Sequence, residues 1–197
     1  TQLTLTQSVW TICLKLTATQ RIAQMKSKTM VFLDYDGVLH PDSVNRRSNG
    51  LIELQLPGKL FMWAPILVES LAPYPDLSIV LATSWVRKLG FRRALNCLPV
   101  ELSRKVIGAT WHSSMGRNTD GINLWDQQSR YHQISAYLRR QNVFVSWLAI
   151  DDDAVGWPSS KYNNLVLTDP ILGLSSSLTQ AQLQERLKAL NLVANTE

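Results

Sequence analysis

Three short apolar runs in this sequence each end in oxygen-bearing side chains. The first leads into Asp34-Tyr35-Asp36-Gly37, the second into Thr83-Ser84, and the third into Asp151-Asp152-Asp153. If those ends meet, several carboxylates crowd together, and like charges packed so closely are costly. A divalent cation removes that cost. Donors confined to oxygen, with no His or Cys among them, select a hard ion such as Mg²⁺. A bound Mg²⁺ recruits phosphate oxygens, and a hydroxyl with a cationic side chain would hold the others. The chemistry implied is phosphoryl transfer.

Each signal has a plainer reading when taken singly. Asp-x-Asp-Gly is a frequent turn, because Asp and Gly favour turns. Thr-Ser ahead of Trp85 is a frequent helix cap. An Asp triplet after a strand can be a solvated loop. The shared context joins them, since each follows an apolar strand and the three occur in a consistent order.

The elements that must position these residues are legible as alternating strands and helices. Residues 30–34, 77–83, 106–108, 145–150 and 165–168 are short apolar runs, as expected of strands buried on both faces. Residues 60–72, 85–95, 129–141 and 178–193 have helical character. Pro65 falls in the first turn of the first, and Thr179 is a candidate cap for the last. Tyr131, Ile134, Tyr137 and Leu138 share one helix face, as do Leu183, Leu187 and Leu190. This alternation predicts an α/β fold with a doubly wound parallel sheet, whose ligands bind at the carboxyl ends of the strands. Residues 37–59 have loop or hairpin composition and form only a minimal cap. Residues 109–127 form a second irregular excursion. A small cap leaves a site open to a large substrate.

Composition bounds the rest. The chain has 197 residues, 45% hydrophobic and 18% charged, which suits one globular domain. No apolar run reaches membrane-spanning length, so no membrane role is expected and a cytoplasmic location is. Cys13 and Cys97 form no metal pattern; they could pair, but a reduced compartment is the simpler reading. Net charge is +5, and residues 84–140 alone carry +7, with ten Lys/Arg against three acids. Such a stretch suits an anionic substrate, including nucleic acid, or forms a solvated helix face. Residues 1–29 contain no acid and are rich in Thr and Gln. They read as a transit segment or as an extension upstream of the domain, poorly ordered and without a catalytic role.

The motifs resemble those of the haloacid dehalogenase-like (HAD) superfamily, over roughly residues 30 to 172. VFLDYDGV resembles its first motif, IVLATS its second and WLAIDDD its fourth. The resemblance implies a Rossmannoid HAD domain over residues 30–197 acting as a Mg²⁺-dependent phosphatase. Asp34 is then the nucleophile that becomes an aspartyl-phosphate, and Asp36 the general acid/base. Asp34, the backbone carbonyl of Asp36 and Asp151 hold Mg²⁺, with Asp152 beside them. Thr83, or Ser84 one residue on, binds the phosphoryl group. The cationic third-motif residue falls to Arg130, at the start of its helix, with Lys105 and Arg117 as rivals. FLDYDGVLHP, IVLATSW, AIDDD and LVLTDPILGL are more specifically similar to the HAD domains of Swiss Army Knife RNA-repair proteins. That similarity implies a phosphorylated substrate such as a nucleotide or an RNA or DNA end. A different reading is a nucleic-acid-binding HAD module with little catalysis.

Other residues carry less. His40 in the nucleophile loop could contact substrate or be incidental. His112 and His132 have no partner at metal spacing. Most of the tryptophans are expected in the core, while Trp85, Trp111 or Trp157 could stack on a base.

Overall fold

The computed structural model describes residues 28–48, 51–116, 125 and 127–195. The expected N-terminal extension therefore lies almost wholly outside the described residues. Its last two residues open the first strand, β1 (Lys28–Leu33).

Buried apolar runs form a five-stranded parallel sheet in the order β5-β4-β1-β6-β7. The other strands are β4 (Ser78–Leu81), β5 (Val106–Ala109), β6 (Val145–Asp151) and β7 (Leu165–Leu167). Within each strand the side chains alternate between two cores. Val31, Leu33, Ile79, Leu81, Leu148 and Ile150 point to one core; Met30, Phe32, Val80 and Ala149 point to the other. Both faces are covered, as the doubly wound expectation requires.

The first core is closed by α1 (Ala64–Leu71), α2 (Ser84–Leu89) and α6 (Ser177–Asn195). The apolar stripe of α6, with Leu183, Leu187 and Leu190, lies on this side. The second core is closed by α5 (Arg130–Leu138) and Trp157. Here the Phe32 ring meets the rings of Tyr137 and Trp147 edge-on, at centroid distances of 5.5 and 5.9 Å.

Local chemistry sets the element ends, and two expectations need correction. The helix expected over 85–95 is two helices, α2 and α3 (Phe91–Leu95), broken at Gly90. Gly90 has φ +88°, a left-handed conformation that glycine adopts without steric cost. Thr179 does not cap the last helix. That helix starts at Ser177, and the Ser176 hydroxyl accepts from the Thr179 N–H at 3.4 Å. A short helix, α4 (Val100–Ser103), leads into β5.

The 37–59 insertion is a small antiparallel hairpin of β2 (Val44–Arg46) and β3 (Ile52–Leu54). Of the second excursion, only part is described, including a single 3₁₀ turn at Ser113–Gly116. Among the described residues, no helix is long and apolar enough to cross a membrane.

Candidate active site

Strand register brings the three chemical segments to one sheet edge. Leu33, the last residue of β1, sits between Leu81 of β4 and Ile150 of β6. The Ala82 N–H donates to the Leu33 carbonyl at 2.8 Å, and the Asp34 N–H to the Ile150 carbonyl at 3.1 Å. Asp34, Thr83 and Asp151 therefore emerge side by side. Asp34, Asp151 and Asp152 each offer a carboxylate oxygen, and these lie within 4.8 Å of one another. The expected convergence is met for these residues.

The turn after Asp34 lies hard against the fourth-motif acids. Gly37 has φ +67°, and a Cβ there would fall 2.3 Å from an Asp152 carboxylate oxygen. Only glycine allows this approach. The Thr168 hydroxyl, itself buried, donates to the Gly37 carbonyl at 2.7 Å. The Leu174 N–H donates to the Val38 carbonyl, and the Asp42 N–H to the Pro170 carbonyl. The segment after β7 thus clamps the loop that carries Asp36. The residue reading missed Thr168; its only sequence signal is its place in LVLTDPILGL.

Arg130 lies between two of the acids. Ser129 caps α5, its hydroxyl accepting from the His132 N–H, which sets Arg130 at the helix start. The Arg130 Nε donates to Asp151 Oδ2 at 2.6 Å, and its Nη2 donates to Asp34 Oδ2. Nη1 donates to the Gln133 side-chain oxygen at 3.2 Å. Gln133 is in turn fixed by the Trp125 and Gln128 carbonyls.

Burial dominates the electrostatics. It pushes the Asp34 and Asp151 carboxyls upward, even though Arg130 opposes the shift in both. For Asp34, the Tyr35 N–H and the Thr83 hydroxyl also favour the ionised form. Asp152 is pushed up to about 7, by burial first and by the Asp34 charge second. Burial alone would lower the Arg130 guanidinium, but Asp34 and Asp151 outweigh it and raise it. Three carboxylates faced by one guanidinium can accept a divalent cation, and their all-oxygen donor set suits a hard one.

Asp36 lies close enough for its charge to push the Asp34 carboxyl up, and a cage of its own holds its side chain. The Trp85 indole N–H reaches both Asp36 oxygens, at 2.9 and 3.0 Å, and His40 Nε2 lies 3.1 Å from Oδ1. His40 is fully buried, which places it out of contact with substrate. Trp85 is buried as well, as is Trp157, and neither offers a free face for stacking on a base.

The remaining candidates separate cleanly. Thr83 faces Asp34, and its hydroxyl also caps α2 by accepting from the Trp85 N–H at 3.3 Å. The cap reading of Thr83 is met, and the same hydroxyl also faces Asp34. Ser84 opens α2 and is half-buried. Lys105 is no rival to Arg130: it precedes β5, at the opposite edge of the sheet, and donates to the Tyr74 and Pro75 carbonyls. Arg117 lies outside the described residues. His132 pairs with the Ser129 hydroxyl, and His112 is exposed.

The basic 84–140 stretch does not form one face. Arg87, Lys88, Arg92 and Arg93 follow the carboxyl end of β4, near the site. Arg104, Arg139 and Arg140 precede the amino ends of β5 and β6. The physical reason is the winding itself, which returns each helix to the far edge of the sheet before the next strand begins. Cys97 is a free thiol, its Sγ 3.2 Å from the Arg93 carbonyl.

Between the hairpin and α2–α3 lies an open cavity of about 660 Å³. Phe61 and Trp85 form part of its wall, and Arg46 and Arg93 also line it.

A family model described as the HAD domain in Swiss Army Knife RNA repair proteins matches residues 30–178. No curated protein and no solved structure matches the chain.

Proposed function

We propose a function from one premise: the chain belongs to the family of HAD domains found in Swiss Army Knife RNA repair proteins. The function is Mg²⁺-dependent hydrolysis of a phosphomonoester through an aspartyl-phosphate on Asp34. The observation that carries it is the cluster of Asp34, Asp151 and Asp152 within 4.8 Å, with Arg130 donating to two of its members.

Asp34, Asp151 and Asp152 would hold the ion, together with the backbone carbonyl of Asp36. When bound, Mg²⁺ offsets the charge of the carboxylates and of the incoming phosphate. An Asp34 oxygen attacks phosphorus while the bond to the leaving-group oxygen breaks, and Asp36 gives that oxygen its proton. Water then attacks phosphorus, its proton passes to Asp36, and the Asp34–phosphate bond breaks. Asp34 is regenerated and inorganic phosphate is released. Arg130 and Thr83, with Ser84 at the head of α2, bind phosphoryl oxygens. The buried setting strengthens each of these contacts.

The substrate is a nucleotide or a phosphorylated nucleic-acid end. The family description supports this, and so does the cavity beside Trp85. Its volume falls within the few hundred to ~1,000 Å³ of ligand pockets. The partly exposed Phe61 in its wall suits a base, and Arg46 and Arg93 suit a further phosphate. The division of the basic stretch between two sheet edges speaks against a module that only binds nucleic acid.

The test is a phosphatase screen over nucleotides, sugar phosphates and 5′- or 3′-phosphorylated oligonucleotides, with and without Mg²⁺. Phosphate release should require Mg²⁺ and vanish in a folded Asp34→Asn variant. Activity surviving in that variant would sink the assignment.

A further inference from the structure

The phosphoryl-transfer reading leaves His40 without a task. The backbone places it deliberately. The Leu39 N–H donates to the Tyr35 carbonyl at 2.9 Å, closing a turn that brings His40 back beside Asp36. The His40 ring is fully buried, with Phe61 at a centroid distance of 5.0 Å and Trp85 at 5.7 Å.

The two ring nitrogens have distinct roles. The Phe61 N–H points at His40 Nδ1 from 3.4 Å. A backbone N–H can only donate, so Nδ1 accepts and carries no proton. The proton of the imidazole is therefore on Nε2, which donates to Asp36 Oδ1 at 3.1 Å.

Phe61 makes this contact from an unusual backbone conformation. Its φ is +61°, and a bulky side chain there is uncommon. Such a conformation persists where the surroundings over-determine it. Here the Phe61 ring packs edge-on against Tyr35 at 5.1 Å and Trp85 at 5.3 Å, as well as against His40.

The two oxygens of Asp36 are consequently unlike. Oδ1 receives the whole of the His40 Nε2 bond at 3.1 Å and one branch of the bifurcated Trp85 indole N–H at 2.9 Å. Oδ2 receives only a share of the same indole N–H, at 3.0 Å. A carboxylate oxygen accepts about two in-plane hydrogen bonds, so Oδ1 is the more heavily bonded oxygen and Oδ2 keeps more capacity.

We propose that His40 is a positioning residue that, with Trp85, orients the Asp36 carboxyl so that Oδ2 carries the proton exchanged with the leaving group. This rests on the roles given above to Asp34 and Asp36. His40 is out of reach of substrate and acts only through Asp36.

Two esters separate this role from mere packing. An alkyl phosphate such as β-glycerol phosphate needs a proton on its leaving oxygen, whereas p-nitrophenolate leaves without one. The kcat/KM value covers steps only up to loss of the leaving group, so it is blind to the later hydrolysis. In His40→Leu, which keeps an apolar side chain in the cage but no donor, kcat/KM for the alkyl ester should fall far more than for the aryl ester. The ratio of the two should shift by about 10- to 100-fold, part of the 10²–10⁴ that a placed general acid supplies. Trp85→Phe, which keeps a ring and removes the N–H, should shift the ratio in the same direction. His40→Gln, which restores an N–H donor, should recover most of it.

Equal losses on both esters, or a Gln variant no better than Leu, would overturn the proposal and leave His40 a packing residue. If His40→Leu does not fold, an unchanged ratio in Trp85→Phe overturns it alone. Wild-type protein that releases phosphate from neither ester, nor from any nucleotide or phosphorylated oligonucleotide, would overturn the function proposed above, and this role with it. An active wild type with unshifted ratios would overturn only this role.

Discussion

Gly37 and Asp152 approach so closely that a methyl group on Gly37 would overlap the Asp152 carboxyl, with its carbon 2.4 Å from the carboxyl carbon. The first and fourth acidic segments therefore pack as one unit, and the approach rests on a missing side chain. Gly37→Ala should cost stability on two counts, the clash and the left-handed φ of +67°. The backbone part alone is about 1–2 kcal/mol. Urea unfolding should show the loss, and Mg²⁺ binding by calorimetry should weaken because Asp152 is displaced. A variant with unchanged stability and binding would mean the two segments move apart freely.

Arg130 is the cation buried between Asp34 and Asp151. Arg130→Met keeps apolar bulk but leaves two buried carboxylates without their partner. Breaking a buried pair in this way costs about 3–5 kcal/mol. In chelator at neutral pH, the urea midpoint should fall accordingly and phosphate release should be lost. A midpoint equal to wild type would show that the pair contributes nothing to the fold.

Asp152 is the least buried of the three clustered acids. Asp152→Asn should therefore unfold near the wild-type midpoint while binding Mg²⁺ more weakly. The loss in affinity should be at least the ~10-fold typical of partners outside the ligand shell. Calorimetric titration measures it, and unchanged affinity would remove Asp152 from the ion's ligands.

Thr168 and Tyr35 anchor the loop that follows Asp34 from two sides. The Thr168 hydroxyl donates to the Gly37 carbonyl at 2.7 Å, and the Tyr35 hydroxyl to the Ala94 carbonyl at 3.0 Å. Each replacement, Thr168→Val or Tyr35→Phe, should cost about 1 kcal/mol in urea unfolding, the usual net worth of such a bond. Thr168→Val should also reduce kcat, because Gly37 directly follows Asp36. Tyr35→Phe should affect kcat less, since its hydroxyl ties the loop to α3 and not to the acids.

Sequence alone determined the strands, the doubly wound architecture and which acids stand at the strand ends. Apolar runs ending in Asp34, Thr83 and Asp151 are local patterns with a local cause: a strand buried on both faces must be apolar until it reaches solvent or a site. Helix faces such as Leu183-Leu187-Leu190 were legible for the same reason, because a periodic pattern records which side is buried. The break at Gly90 and the cap at Ser176 were not, since a helix end is decided by one or two residues whose conformation depends on what they pack against.

Tertiary structure decided who touches whom at the site. Arg130 and Asp34 are 96 residues apart, Thr168 and Gly37 are 131 apart, and Trp85 and Asp36 are 49 apart. No periodicity encodes such pairs; strand register sets them once the sheet is wound. Winding also sent Lys105 and Arg104 to the far edge while setting Arg130 between two acids. His40 shows the limit most plainly. In the sequence it is one loop histidine among three, and only folding encloses it between Phe61 and Trp85 with one nitrogen on Asp36.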